Sequence, residues 1–182
     1  VTRPGLPVAV VGPSGAGKDS LIAALVARRP GLIAVRRVVT RPARPGDEPF
    51  EPATPAAFAR RVAAGGFVLH WQAHGLHYGI PAGVEADLAA GRDCVMNLSR
   101  GVLAEAAARW PRLRVVAVTA RPEVLAQRLA ARGREDAAAV ARRLARAGAI
   151  ALPAGLDVVQ VDNSGTLEAA VAAALAALWP AG

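Results

Sequence analysis

Aromatic residues make up only 4% of this 182-residue chain, and cysteine occurs once, at Cys94. So few rings leave little to stack on bases, which argues against nucleic acid as a partner. A lone thiol closes no internal disulfide and fits a reducing, cytoplasmic setting. No charged leader followed by an apolar core opens the chain, so no secretion signal is expected. The most apolar segment, Ala169 to Trp179, is too short to span a bilayer and reads as an Ala-rich closing helix. Hydrophobic residues reach 53%, but alanine supplies much of that figure. No membrane association is expected.

Acidic residues are in the minority, 14 against 22 basic ones, and the basic ones are almost all arginine. A net charge of +8 suits either a nucleic-acid binder or an enzyme that handles phosphates. The shortage of aromatic residues favours the enzyme. Its length suits one α/β domain with a proper core.

The stretch Gly12-Pro13-Ser14-Gly15-Ala16-Gly17-Lys18-Asp19-Ser20 carries the chemistry. Glycines at 12 and 17 followed by Lys18 fit the phosphate-binding loop pattern, with an apolar run before and a helix-forming stretch after. Glycines let the backbone wrap closely around phosphate oxygens, so that amide N–H groups point inward. The helix start adds its positive end, and Lys18 reaches the outer phosphates of a nucleoside triphosphate, ATP. Asp19 stands where a Ser or Thr usually helps hold Mg²⁺. Either Asp19 or the neighbouring Ser20 is the expected metal ligand, since hard oxygen donors suit this ion.

Apolar runs alternate with helical periodicity along the rest of the chain. Strands are expected at Leu6–Val11, Leu32–Val39, Phe67–Trp71, Asp93–Leu98, Leu113–Thr119 and Leu156–Val161. Helices are expected at Lys18–Arg29, Pro55–Ala64, Ala82–Ala90, Gly101–Trp110, Pro122–Arg132, Ala137–Ala147 and Leu167–Trp179. Thr54-Pro55 supplies an N-cap and a first-turn proline, and Gly65, Gly91 and Gly133 sit just past helix ends. This alternation predicts an α/β fold with a mostly parallel sheet flanked by helices. Arg41 to Pro55 reads as a Pro-rich loop.

Four further segments resemble guanylate kinases, in order and spacing, over nearly the whole chain. Thr40-Arg41-Pro42-Ala43-Arg44-Pro45-Gly46-Asp47 is similar to their acceptor-phosphate loop, and Phe67 to Ile80 to their next substrate segment, with its Tyr-Gly pair at Tyr78-Gly79. Arg128 to Gly133 and then Arg143 are similar to their lid arginines, and Val161 to Ser164 to their adenine-side loop. The resemblance implies a P-loop kinase with core 1–35 and 92–182, an inserted acceptor-binding region near 36–91 and a lid near 128–148. It further implies phosphate contacts from Arg41, Arg44 and Tyr78, and nucleotide contacts from Arg128 and Asn163. Arg132 and Arg143 would close over the transferred group.

The departures bear on the substrate. Where guanylate kinases place a guanine-reading Glu, this chain has Leu69, and no acid occurs from Gly65 to Ile80. An unpaired guanine edge would forfeit about 1–3 kcal/mol per buried group. Gly-Lys-Asp-Ser at 17–20, Thr-Arg-Pro at 40–42 and Asn97-x-Ser99-Arg100 instead resemble the ribose 1,5-bisphosphate phosphokinase family. That likeness implies ATP-dependent phosphorylation of a small sugar bisphosphate by a cytoplasmic monomer or homodimer, giving 5-phosphoribosyl 1-diphosphate in phosphonate breakdown. Arg37 and Arg100 are extra cations that either serve a second phosphate or stay solvated at strand ends. Trp71 either packs on the sugar or belongs to the core. Glu85 either holds ribose hydroxyls or simply enriches an early helical turn with acid. Two other readings share these motifs. A nucleoside monophosphate kinase is opposed by Leu69, and a non-catalytic binding module by Lys18 and the lid arginines.

Overall fold

The computed structural model describes residues 3–131, 138 and 151–180. Five strands form a parallel sheet in the order β2-β7-β1-β8-β9: Ile33–Ala34 (β2), Cys94–Asn97 (β7), Pro7–Val11 (β1), Arg114–Thr119 (β8) and Asp157–Asp162 (β9). The central strand β1 is a run of five buried residues, as expected of a strand covered on both faces. Helices α1 (Lys18–Arg28), α4 (Leu103–Arg109), α5 (Pro122–Ala131) and α6 (Leu167–Leu178) belong to the same layered unit. One buried cluster joins Val8, Val10, Leu21 and Leu25 with Val171 and Leu178 of α6. The other joins Ala9 and Val11 with Leu69, Ile80, Met96 and Leu103. The chain reverses direction across the sheet at β1, which has β7 on one side and β8 on the other. The crevice at the carboxyl ends of such strands is where α/β sheets bind ligands.

A second sheet, in the order β4-β3-β6-β5, is built from Glu51–Pro52 (β4), Val38–Val39 (β3), Leu76–Pro81 (β6) and Phe67–Ala73 (β5). Helix α2 (Pro55–Ala63) starts on the Thr54 hydroxyl, which accepts from the Ala57 amide, and buries Phe58. A short α3 (Val84–Ala89) leads back to the main sheet.

The single strand expected at Leu32–Val39 is two strands in different sheets. Val35 still donates its amide to Val95 of the main sheet, whereas the Arg37 carbonyl already accepts from Glu51 of the second. Between them the chain crosses over, carrying Arg36 and Arg37. Strand β6 and the two-residue β4 are absent from the sequence reading. The β5–β6 hairpin turns on His74 and Gly75, both at positive φ (51° and 73°), and pairs Trp71 directly with Tyr78. The helix expected at Ala137–Ala147 lies outside the described residues. No described helix is long and apolar enough to cross a membrane.

Candidate active site

The loop between β1 and α1 is shaped by glycines that nothing larger could replace. Gly12 and Gly17 take φ values of 154° and 88°. A Cβ on Gly12 would stand 2.4 Å from the Val118 carbonyl oxygen, and one on Gly17 would stand 2.5 Å from Asn163 Nδ2. Asn163, at the end of β9, donates to the Ala16 carbonyl at 2.8 Å. Arg128 of α5 reaches the Gly15 and Ala16 carbonyls at 3.3 and 3.4 Å, and the Asn163 carbonyl at 2.7 Å. Those bonds make Arg128 a clamp on the loop rather than a free phosphate ligand. A cleft of about 380 Å³ opens here, lined by Gly15, Gly17, Ser20, Arg128 and Asn163. Asn163 is 3% exposed, and its Oδ1 has no partner among the described residues. An orphaned acceptor beside a cradle of amides fits a nucleotide well.

Lys18 folds back on its own loop, with Nζ bonded to the Gly12 and Pro13 carbonyls at 2.9 and 3.1 Å. Burial lowers its pKa, and Arg37 and Arg100 lower it further, while Asp19 and Glu48 oppose them. The cations Arg37 and Arg100 are therefore felt at the phosphate-binding lysine. Ser14 and Ser20 are exposed, and Pro13 is half-buried.

The next residue, Asp19, links the two ends of the site. Asn97 at the end of β7 donates to Asp19 Oδ1 at 2.8 Å and lies 3.5 Å from Glu48 Oε2. Glu48 in turn binds Arg37 at 2.6 Å. Burial and the hydrogen bond shared with Asp19 raise the Glu48 pKa to about 7, against the pull of Arg37. Burial pushes Asp19 up too, but its bonds to Glu48 and Asn97, with Arg37 and Lys18 nearby, bring it below the usual carboxylate value. The pair thus keeps one proton up to near neutrality.

Two arginines beyond this pair share one arrangement. Arg37 lies over the Tyr78 ring at 5.4 Å and meets Glu48 at its edge. Arg41 lies over Phe50 at 4.2 Å and meets Asp47 at its edge. The Asp47 carboxylate also accepts from the Arg44 amide at 2.8 Å, closing the loop, and leaves the Arg44 side chain exposed. A second cleft of about 350 Å³ borders Thr40, Arg41, Pro42 and Thr54.

Lys18, Asp19, Arg37, Arg41 and Tyr78 are thus brought into one connected region, with Arg100 close enough for its charge to act on Lys18. Two expected residues are committed elsewhere. Trp71 stacks on Tyr78, with centroids 5.5 Å apart and planes at 9°, and packs on the core besides. Glu85 binds Arg109 at 2.8 Å and the Trp110 indole at 3.4 Å. Leu69 is fully buried among Ile80 and Met96, so its slot is core rather than pocket wall. Arg132 and Arg143 lie outside the described residues. Glu48 escaped the sequence reading; the one available signal was an acid pair, Asp47-Glu48, inside an arginine-rich loop.

No protein-family model matches the chain. A ribose 1,5-bisphosphate phosphokinase of Ruegeria sp. (strain TM1040) is 54% identical over 93% of this chain and 89% of its own length. The chain belongs to the ribose 1,5-bisphosphate phosphokinase family. The phosphokinase of that name from Acidiphilium cryptum (strain JF-5) is 50% identical over 97% of this chain and 93% of its own length. Among solved structures, a guanylate kinase from Anaplasma phagocytophilum superposes with a TM-score of 0.68. It shares 18% identity over 93% of this chain and 82% of its own. The ribose 1,5-bisphosphate phosphokinase family member described here thus has the guanylate-kinase type of P-loop fold.

Proposed function

We propose that this protein transfers the γ-phosphoryl group of ATP to ribose 1,5-bisphosphate, giving 5-phospho-α-D-ribose 1-diphosphate and ADP. The observation that carries this reading is the link from the phosphate loop to the acceptor-loop arginines: Asp19, next to Lys18, is joined through Asn97 to Glu48, which binds Arg37.

In the reaction a C1-phosphate oxygen forms a bond to the γ phosphorus while the bond to the β-phosphate oxygen breaks. A phosphate monoester has its second pKa near 6 and is largely dianionic at neutral pH. The attacking oxygen therefore needs no general base. Catalysis rests on positioning and on neutralising charge. Lys18 leaves the Gly12 and Pro13 carbonyls to hold the β and γ phosphates, and the loop amides orient them. Arg37, Arg41, Arg44 and Tyr78 hold the acceptor, Arg100 adds positive charge beside Lys18, and Arg132 and Arg143 neutralise the transferred group. Asn163 Oδ1 accepts from the nucleotide, while Arg128 keeps the loop closed around it.

Asp19 and Ser20, at the first turn of α1, are the oxygen donors suited to Mg²⁺, which keeps most of its other ligands from water and phosphate. When bound, the ion neutralises charge on the β and γ phosphates. The lone, buried Cys94 fits a cytoplasmic enzyme.

A coupled ADP-release assay comparing ribose 1,5-bisphosphate with guanosine monophosphate tests the proposal. Turnover of the sugar bisphosphate and little with the nucleotide is expected. Efficient use of guanosine monophosphate and none of the sugar would overturn it.

A further inference from the structure

A base-free sugar presents only phosphates and hydroxyls, and an enzyme that accepts it needs hydrogen-bond partners for both. Glu85 is not free for the hydroxyls, because Arg109 and Trp110 occupy its carboxylate. Asp87 of the same helix is held by Arg92. The acid that stands between the two phosphate-binding ends is Glu48.

Three observations set its position. Its Oε1 takes a single donor of Arg37, Nη2, so other guanidinium donors remain for a phosphate. Among the described residues its Oε2 is approached by Asn97 Nδ2 at 3.5 Å, a donor that bonds better to Asp19 at 2.8 Å. Asn97 Nδ2 thereby bridges Glu48 to Asp19, the neighbour of Lys18. Arg37 also lies over the Tyr78 ring, which is stacked on Trp71, so Glu48 is not its sole contact.

The acceptor's C1 phosphate must meet the γ-phosphate beside Lys18 while its negative charge rests on the arginines. The C2 hydroxyl is the sugar group nearest that phosphate. The carboxylate that bonds Arg37 and is bridged by Asn97 to Asp19 therefore stands nearest C2 among the acids not assigned to the metal. We propose that Glu48 is a specificity-determining residue that accepts a hydrogen bond from the acceptor's C2 hydroxyl, so that the enzyme prefers ribose over 2-deoxyribose bisphosphate. The inference rests on the acceptor assignment above. It moves the hydroxyl-binding role from α3 to the acceptor loop.

The test is kcat/KM for ribose 1,5-bisphosphate and for 2-deoxyribose 1,5-bisphosphate, measured with the wild type, Glu48→Ala and Glu48→Gln. A hydrogen bond in a site built for a hydroxyl supports a wild-type preference of at least about tenfold. Glu48→Ala should bring the ratio to within about threefold of unity, mainly through loss of the ribose substrate. Glu48→Gln keeps a carbonyl acceptor of the same shape and should give an intermediate ratio.

If Glu48 only orients Arg37, its removal will weaken both sugars equally and the ratio will stay at the wild-type value, which overturns the inference. A wild type that does not separate the two sugars overturns it as well. The underlying acceptor assignment fails differently: the wild type would then turn over neither bisphosphate and would use a nucleotide instead.

Discussion

The nucleotide end of the site is built from backbone, and the acceptor end from side chains. Around the phosphate loop, Arg128 and Asn163 bind main-chain carbonyls, and Gly12 and Gly17 are pressed against Val118 and Asn163. At the acceptor end, Arg37 and Arg41 are each set by one ring and one carboxylate. A backbone cradle recognises the polyphosphate common to every nucleoside triphosphate and leaves little to vary. Side-chain pairs can be exchanged one at a time without disturbing the main sheet. The fold itself persists at 18% identity in the superposition on a guanylate kinase.

The contrast breaks most sharply at Lys18, where both ends meet. Lys18→Ala should lower kcat at least about a hundredfold with the fold intact, because its ammonium acts on charge in the transition state. ADP release and a thermal melt measure the two effects, and normal turnover in a folded variant would exclude this site. A smaller effect is expected at the acceptor end. Arg41→Ala should raise the acceptor KM about tenfold and leave the ATP KM unchanged, as loss of a ground-state contact does. A change confined to ATP would reverse the assignment of the two ends. Asn163→Ala should do the converse, raising the ATP KM several-fold through loss of a buried acceptor and a loop tether. Its acceptor KM should not move.

The smallest effect concerns pH. The Glu48 carboxyl titrates at about 7 in the folded protein against 4.5 when unperturbed. The folded form thus holds an extra proton between these values, so this contribution to stability is complete below 4.5 and is lost as pH rises through 7. Glu48→Gln, which never ionises, should melt a few degrees higher than the wild type at pH 8 and show no such gain at pH 4. Asp19 is shifted downward, so its own contribution is lost only as pH falls through still lower values, outside this window. An equal offset at both pH values would place the proton elsewhere.

The nucleotide end was legible in the sequence for the reason it is rigid. A glycine pattern between an apolar strand and a helix has one structural meaning, and β1, the loop and α1 follow it. The acceptor end was legible only in part. The arginine motif located Arg41, but the sheet change between Val35 and Val38 cannot be seen in an apolar run that suits one strand equally well. The sequence leaves Trp71 open between sugar and core, and the structure packs it and Leu69 on the core. On a strand, facing is decided by the partner, and here β6 and the core claim both side chains. Glu48 was missed because its importance depends on Asp19 and Asn97, which lie 29 and 49 positions away.

The order of strands in the main sheet also governs how the chain must fold. β1 is finished by Val11, yet its two neighbours are β7, near residue 95, and β8, near residue 115. At roughly 5–20 residues per second, synthesis leaves this apolar strand without its partners for about five to twenty seconds. The phosphate loop cannot acquire its shape earlier, since Gly12 packs against Val118 and Asn163 closes the far side. Catalytic competence is thus among the last properties the nascent chain acquires, and truncation anywhere before β9 leaves a P-loop motif with no site.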